Sequence, residues 1–91
     1  MAIIVNVTSV IQKAVDGQRK IEGEGRTIAE LIEHVEGRYP GFRSQIADES
    51  GELHRFVNIY LNDEDIRYLD GKETVIKDGD EVSILPALAG G

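Results

Sequence analysis

Apolar residues fall into two rhythms along this chain. Ile3-Ile4-Val5-Asn6-Val7-Thr8 is dense in β-branched side chains and reads as a strand. Ile3, Val5 and Val7 share one face of it, because side chains alternate along an extended backbone. Phe56-Val57-Asn58-Ile59-Tyr60-Leu61 reads as the strongest strand, with Val57, Ile59 and Leu61 facing away from Phe56, Asn58 and Tyr60. Between these strands the period changes. Ile28, Leu31, Ile32 and Val35 fall at i, i+3, i+4 and i+7, the apolar stripe of a helix. Thr27 before the stripe and Glu30 three residues on predict a capping box, in which each side chain meets a free N–H of the first turn. Gly37 and Pro40 predict the helix end. Glu30, Glu33, His34 and Glu36 lie off the stripe and are expected to face water.

The remaining segments complete an order of elements. Asp16-Gly17 predicts a turn, in a hairpin with a longer loop that leads to a short strand over residues 18–22. Residues 41–54 are polar and read as irregular, with an exposed loop at 48–51. Asn62-Asp63-Glu64-Asp65 reads as a turn before a short strand at 66–68, and Asp70-Gly71 and Asp78-Gly79 as further turns. A last strand runs over 81–85, with Val82 and Ile84 inward and Leu85 outward, and Pro86 ends it. Strand, strand, helix, strand, short strand, strand predicts an α+β fold with a mixed sheet packed on one main helix. That is the order of the ubiquitin-like β-grasp. It divides the chain into a domain over residues 1–86 and an extended, flexible Gly-Gly tail over 87–91.

Composition narrows the functions open to such a fold. A chain of 91 residues forms one domain. At that size only about 60% of the unfolded surface is buried, which leaves little room for an enclosed cavity and suits a protein that presents a surface or an end to a partner. The net charge of −7 opposes binding to a phosphate backbone and favours a partner with a basic groove. With no cysteine, disulfides, thiolate nucleophiles and Cys-based metal sites are absent. There is neither a basic leader followed by an apolar run nor a stretch of about 20 apolar residues, so a cytoplasmic protein, away from membranes and nucleic acid, is expected. The free form is expected to be a monomer.

The candidate chemistry lies at the end of the chain. After Pro86 come Ala87, Leu88, Ala89, Gly90 and Gly91. Five extended residues reach roughly 17 Å, enough to enter a partner's active-site channel while the domain docks outside. Glycine lacks a Cβ, so Gly90-Gly91 can pass a narrow channel. A terminal carboxylate, with a pKa near about 3.5, is ionised at neutral pH and resists nucleophiles. Reaction with ATP converts it to an acyl-adenylate, and a sulfur nucleophile then displaces AMP to leave a thiocarboxylate, as nucleophilic as a thiolate. Two glycines alone also fit an idle flexible end.

Residues 78–91, Asp-Gly-Asp-Glu-Val-Ser-Ile-Leu-Pro-Ala-Leu-Ala-Gly-Gly, resemble the ThiS and MoaD sulfur carriers of the thiamine and molybdopterin pathways, which share the DGD turn, a final strand and a Gly-Gly end. Residues 53–67, together with Ile84-Leu85-Pro86-Ala87, are similar to the branch of that family used in bacterial cysteine synthesis. The resemblance implies that Gly91 is the sulfur attachment point and that the chain has no catalytic residues and no cofactor or metal of its own. It implies three partners: an E1-like activating enzyme using ATP, a cysteine synthase using pyridoxal phosphate and acting on O-phosphoserine, and a JAMM-type metallopeptidase using zinc. The segment Ser9-Val10-Ile11-Gln12-Lys13 lacks the aromatic, arginine-containing stretch of molybdopterin carriers, and thiamine carriers are usually shorter, without the 41–54 segment. Delivery of sulfur to molybdopterin, thiamine or tRNA, and conjugation through Gly91 as a ubiquitin-like modifier, stay open at this point.

Strand alternation makes one further surface a candidate. If the last strand neighbours the 56–61 strand, Phe56, Tyr60 and Leu85 form an exposed patch for docking the activating enzyme. Asn62-Asp63-Glu64-Asp65 lacks the spacing and glycine of a calcium loop. His34 and His54 have no triad or ligand set and are expected at the surface. Arg55 and Arg67 either pair with carboxylates or contact a partner.

Overall fold

The computed structural model describes residues 2–54 and 57–86, without the side chains of Ser9, Val10 and Pro86. Five strands form one mixed sheet: β1 (Ile3–Val7), β2 (Lys20–Gly23), β3 (Val57–Leu61), β4 (Glu64–Asp65) and β5 (Glu81–Pro86). Their order across the sheet is β2-β1-β5-β3-β4. β5 runs parallel to β1 and antiparallel to β3, so the last strand lies at the centre. Ile3, Val5, Val7, Val57, Ile59, Val82 and Ile84 are all buried on one face, as alternation requires. This is the ubiquitin-like β-grasp fold, with one main helix on that face.

That helix, α2 (Ile28–Arg38), buries Ile28, Leu31, Ile32 and Val35. Gly25 sets how closely the chain approaches it. At φ +154, a Cβ there would stand 2.7 Å from the Leu31 backbone nitrogen, closer than any side chain tolerates. Arg38 Nη1 donates to the Glu22 carbonyl at 2.5 Å, and the Glu24 N–H donates to His34 Nδ1 at 3.2 Å. Side chains of α2 thus cover part of the outer edge of β2, a device that blocks stray strand pairing.

Several expectations change. Thr27 caps the helix by accepting from the Glu30 N–H at 3.2 Å, but Glu30 reaches back one residue further than a capping box does, to the Arg26 N–H at 3.0 Å. Gly37 lies within the helix. An exposed helical glycine costs only about 1 kcal/mol, and the stop comes from Pro40, which disfavours helical torsions at Tyr39. The hairpin loop holds a short helix, α1 (Ser9–Gln12), and a 3-10 turn (Lys13–Val15), which bury Ile11 and Val15. Residues 41–54 are not irregular throughout: α3 (Phe42–Ile46) buries Phe42 and Ile46 beneath α2. Its start is held from a distance, because the Glu36 carboxylate accepts from the Gly41 N–H at 3.1 Å and the Arg43 N–H at 2.7 Å. These bonds, the Arg43 one foremost, lower the Glu36 pKa below its ordinary value. Residues 48–51 do form an exposed loop. The predicted strand at 66–68 is a 3-10 turn (Ile66–Tyr68), and the short strand is instead β4, formed by two residues read as a turn. Pro86 is itself the last residue of β5.

Candidate functional site

The central strand determines where the tail begins. Ile84 lies beside Val7 at the end of β1, and Pro86 beside Val57 at the start of β3. The chain therefore leaves the sheet from its middle strand, between two neighbours. The tail residues Ala87, Leu88, Ala89, Gly90 and Gly91 lie outside the described residues, as do Arg55 and Phe56 of the expected docking region.

The face opposite α2 carries Glu81, Ser83 and Leu85 from β5 and Asn58 and Tyr60 from β3. In this register Leu85 sits across from Asn58, and Tyr60 across from Ser83. Tyr60 and Leu85 are therefore diagonal neighbours, about 7–8 Å apart, with polar residues between them. Leu85 is exposed and Tyr60 half-buried.

Next to them is a group that strand alternation did not reveal. Asp65 pairs with Tyr60 across β3 and β4 and is only 8% exposed. Its Oδ1 accepts from the Arg67 backbone N–H at 2.8 Å, which starts the 3-10 turn. Its Oδ2 accepts from Arg67 Nη2 at 2.8 Å, while Nε lies 3.2 and 3.3 Å from the two oxygens. Arg67 Nη2 also donates to Asn58 Oδ1 at 2.6 Å. The sequence signal for this cluster is the Asp-x-Arg spacing at 65 and 67, which only the 3-10 turn converts into a clamp.

The clamp has an electrostatic consequence. Side-chain hydrogen bonds from Arg67 hold the Asp65 carboxyl below the ordinary aspartate range, against the opposing effect of burial. A depressed folded-state pKa stabilises the fold above the unfolded value of about 3.9, and this contribution fades as pH falls through the folded value. Asp65→Asn is therefore expected to unfold at lower urea than wild type at pH 7, by on the order of 1 kcal/mol since Arg67 is largely exposed. The gap should stay constant down to about pH 5 and narrow progressively as pH falls below about 3.9. A gap that persists unchanged at pH 2 would contradict the assignment.

Other candidates are placed as structural elements. The Asn62 side chain links Asp80 and the Glu81 N–H, which joins the turn after β3 to the start of β5. His34 accepts from the Glu24 N–H, and His54 Nε2 donates to the Ser44 carbonyl at 3.1 Å. An open concavity of about 390 Å³ lies beside His54, but its Asp48 carboxylate is taken up by Ser50 and the Glu52 N–H. Among the described residues no three His, Cys, Asp or Glu side chains cluster to hold a metal ion. No described helix is long and apolar enough to cross a membrane.

Known proteins match this arrangement along its whole length. Sulfur carrier protein CysO of Mycobacterium tuberculosis is 43% identical over 93 residues, covering 100% of both chains. Its crystal structure superimposes with a TM-score of 0.90 over 94% of this chain and 99% of that one. A chain of the Amycolatopsis orientalis BexX/CysO complex is 41% identical, with a TM-score of 0.90 over 99% of this chain and 100% of that one. Small archaeal modifier protein 3 of Haloferax volcanii is 33% identical over 82 residues, covering 87% of this chain and 88% of its own. The match to the ThiS family takes in residues 5–91, from the first strand through the two final glycines, and this chain belongs to that family.

Proposed function

We propose that this protein is a sulfur carrier whose cargo is held on the C-terminal carboxylate of Gly91, most directly for cysteine synthesis from O-phosphoserine. The observation that carries the reading is the likeness to sulfur carrier protein CysO over the full length of both chains. The domain spans residues 1–86, and residues 87–91 form the arm that enters a partner's active site. The carboxylate attacks the α-phosphate of ATP in an E1-like enzyme and releases pyrophosphate. A sulfur donor then displaces AMP and leaves a thiocarboxylate. A cysteine synthase presents the aminoacrylate formed from O-phosphoserine, the sulfur adds to it, and an acyl shift leaves cysteine amide-linked to Gly91. A JAMM-type peptidase frees the cysteine and restores the carrier. ATP, pyridoxal phosphate and zinc belong to those enzymes, and the carrier is a co-substrate in each step. The patch of Phe56, Tyr60 and Leu85 docks the activating enzyme. The protein works in the cytoplasm as a monomer when free.

The likeness to a small archaeal modifier protein favours a second reading, conjugation of Gly91 to lysines of other proteins. Intact mass spectrometry separates the two. After incubation with the E1-like enzyme of the same genome, ATP and sulfide, one oxygen of Gly91 should be exchanged for sulfur, and the synthase with O-phosphoserine should add a cysteine residue. Isopeptide-linked ladders without sulfur transfer would favour conjugation. An unchanged mass throughout would overturn the carrier reading.

A further inference from the structure

We propose that Arg67, clamped by Asp65 and Asn58 beside the exposed Tyr68 ring, sets the docking register with the activating enzyme, which places a carboxylate against Nη1. This rests on the carrier reading above and extends it to residues outside the Phe56, Tyr60 and Leu85 patch.

Arginine has five N–H donors in a rigid fork. In this clamp Nε and Nη2 are committed to Asp65 and Asn58, while Nη1 has no partner among the described residues. The side chain is nevertheless 60% exposed. A guanidinium already held in place loses little freedom when a partner binds it, and preorganisation of this kind strengthens binding without new contact area. Asp65 is 8% exposed while the Arg67 side chain is 60% exposed, so one partner of the clamp is anchored in the fold and the other is presented to solvent. Besides starting the 3-10 turn, the clamp therefore fixes the direction of Arg67.

Position and composition support the same surface. Asn58 lies opposite Leu85, one residue before Pro86, so the clamp is a single strand away from the strand that delivers the tail. Adjacent strands are about 4.8 Å apart and a five-residue tail spans roughly 17 Å, so an enzyme that captures the tail approaches this part of the face. Tyr68 is 85% exposed beside Arg67, while Ile66 in the same turn is buried. Tyrosine and arginine are the residue types that most often dominate binding energy at interfaces. No lysine or arginine belongs to β3, β4 or β5. Among these strands and the turn that follows β4, Arg67 is thus the cation that a partner carboxylate meets, within a chain of net charge −7 that draws an otherwise basic partner surface.

The test is ATP–pyrophosphate exchange by the E1-like enzyme of the same genome, with carrier concentration varied. Arg67→Lys keeps a cation next to Asp65 but loses the fork, and Tyr68→Ala removes a side chain that lies almost wholly in solvent, so both should fold normally. Each is expected to raise the KM for the carrier at least tenfold, with kcat at saturation within twofold and thermal midpoint close to wild type. The paired neutral variant Asp65→Asn/Arg67→Gln should also flatten the dependence of KM on salt. KM values within twofold of wild type for both single variants, with wild type efficiently adenylated, would overturn the assignment while leaving the carrier reading intact. No exchange with the wild-type chain would overturn both.

Discussion

Deleting Gly91 is expected to reduce acyl-adenylate formation at least a hundredfold. The shortened chain still ends in a glycine carboxylate, that of Gly90. What changes is position, because the reacting group retreats by roughly 3.5 Å along an extended backbone. A misplacement of about 1 Å already costs about a hundredfold when a reaction depends on holding two groups in line. The strand cannot release more chain to compensate, since β5 is fastened to β1 as far as Ile84 and to β3 as far as Pro86. ATP–pyrophosphate exchange measures the loss, with far-ultraviolet circular dichroism as the control for folding. Amidation of the Gly91 carboxylate should abolish exchange altogether. Undiminished exchange after either change would move the reaction away from the C-terminus and remove the basis of the proposed cycle.

Phe42→Ala is expected to cost about 3–5 kcal/mol of stability. Phe42 is 1% exposed and is among the largest fully buried side chains of the protein. It lies at the first position of α3, a five-residue helix that could not persist alone. Two anchors hold that helix against α2. One is the pair of Glu36 bonds to the N–H groups of Gly41 and Arg43, and the other is the bond from Arg43 to Glu33 at 2.6 Å. Both anchors are exposed and weak individually, so the burial of Phe42 and Ile46 provides most of the docking energy. A domain of this size has a total stability of roughly 5–14 kcal/mol. The thermal midpoint should therefore fall by about 15 °C or more, whereas Tyr68→Ala should shift it very little. A midpoint for Phe42→Ala within about 3 °C of wild type would show that α3 is dispensable to the core.

These two predictions differ in where their information lies. Gly91 is legible in the chain itself, and so is the alternation in β1 and β3 that makes the sheet one-sided. The stripe of Ile28, Leu31, Ile32 and Val35 was equally plain, because burial along two helical turns imprints a period that needs no knowledge of neighbours. Phe42 and Ile46 share a helix face too, while Ile11 and Val15 are buried from two short consecutive elements. In elements of four or five residues, however, one i, i+4 pair is too little to stand out from a polar surrounding, and 41–54 reads as irregular. The start of α3 was hidden for a second reason: its capping carboxylate, Glu36, belongs to the preceding helix.

The carrier candidate divides in the same way. By itself the sequence determined the family and the one-sided sheet with its main helix, and it carries the Gly90-Gly91 end on which the proposed sulfur chemistry rests. Only the tertiary structure decided that β5 lies between β1 and β3, which makes the tail leave from the centre of the sheet, and that Arg67 is clamped beside Asn58. The reason is the range of the forces involved. Periodicity and turn chemistry act between residues a few positions apart and so are written locally. The pairing of Ile4 with Glu81 joins residues brought together only when the whole sheet closes, and the bond between Arg67 and Asn58, nine residues apart, forms only once β3 and β4 pair and the 3-10 turn after them is in place.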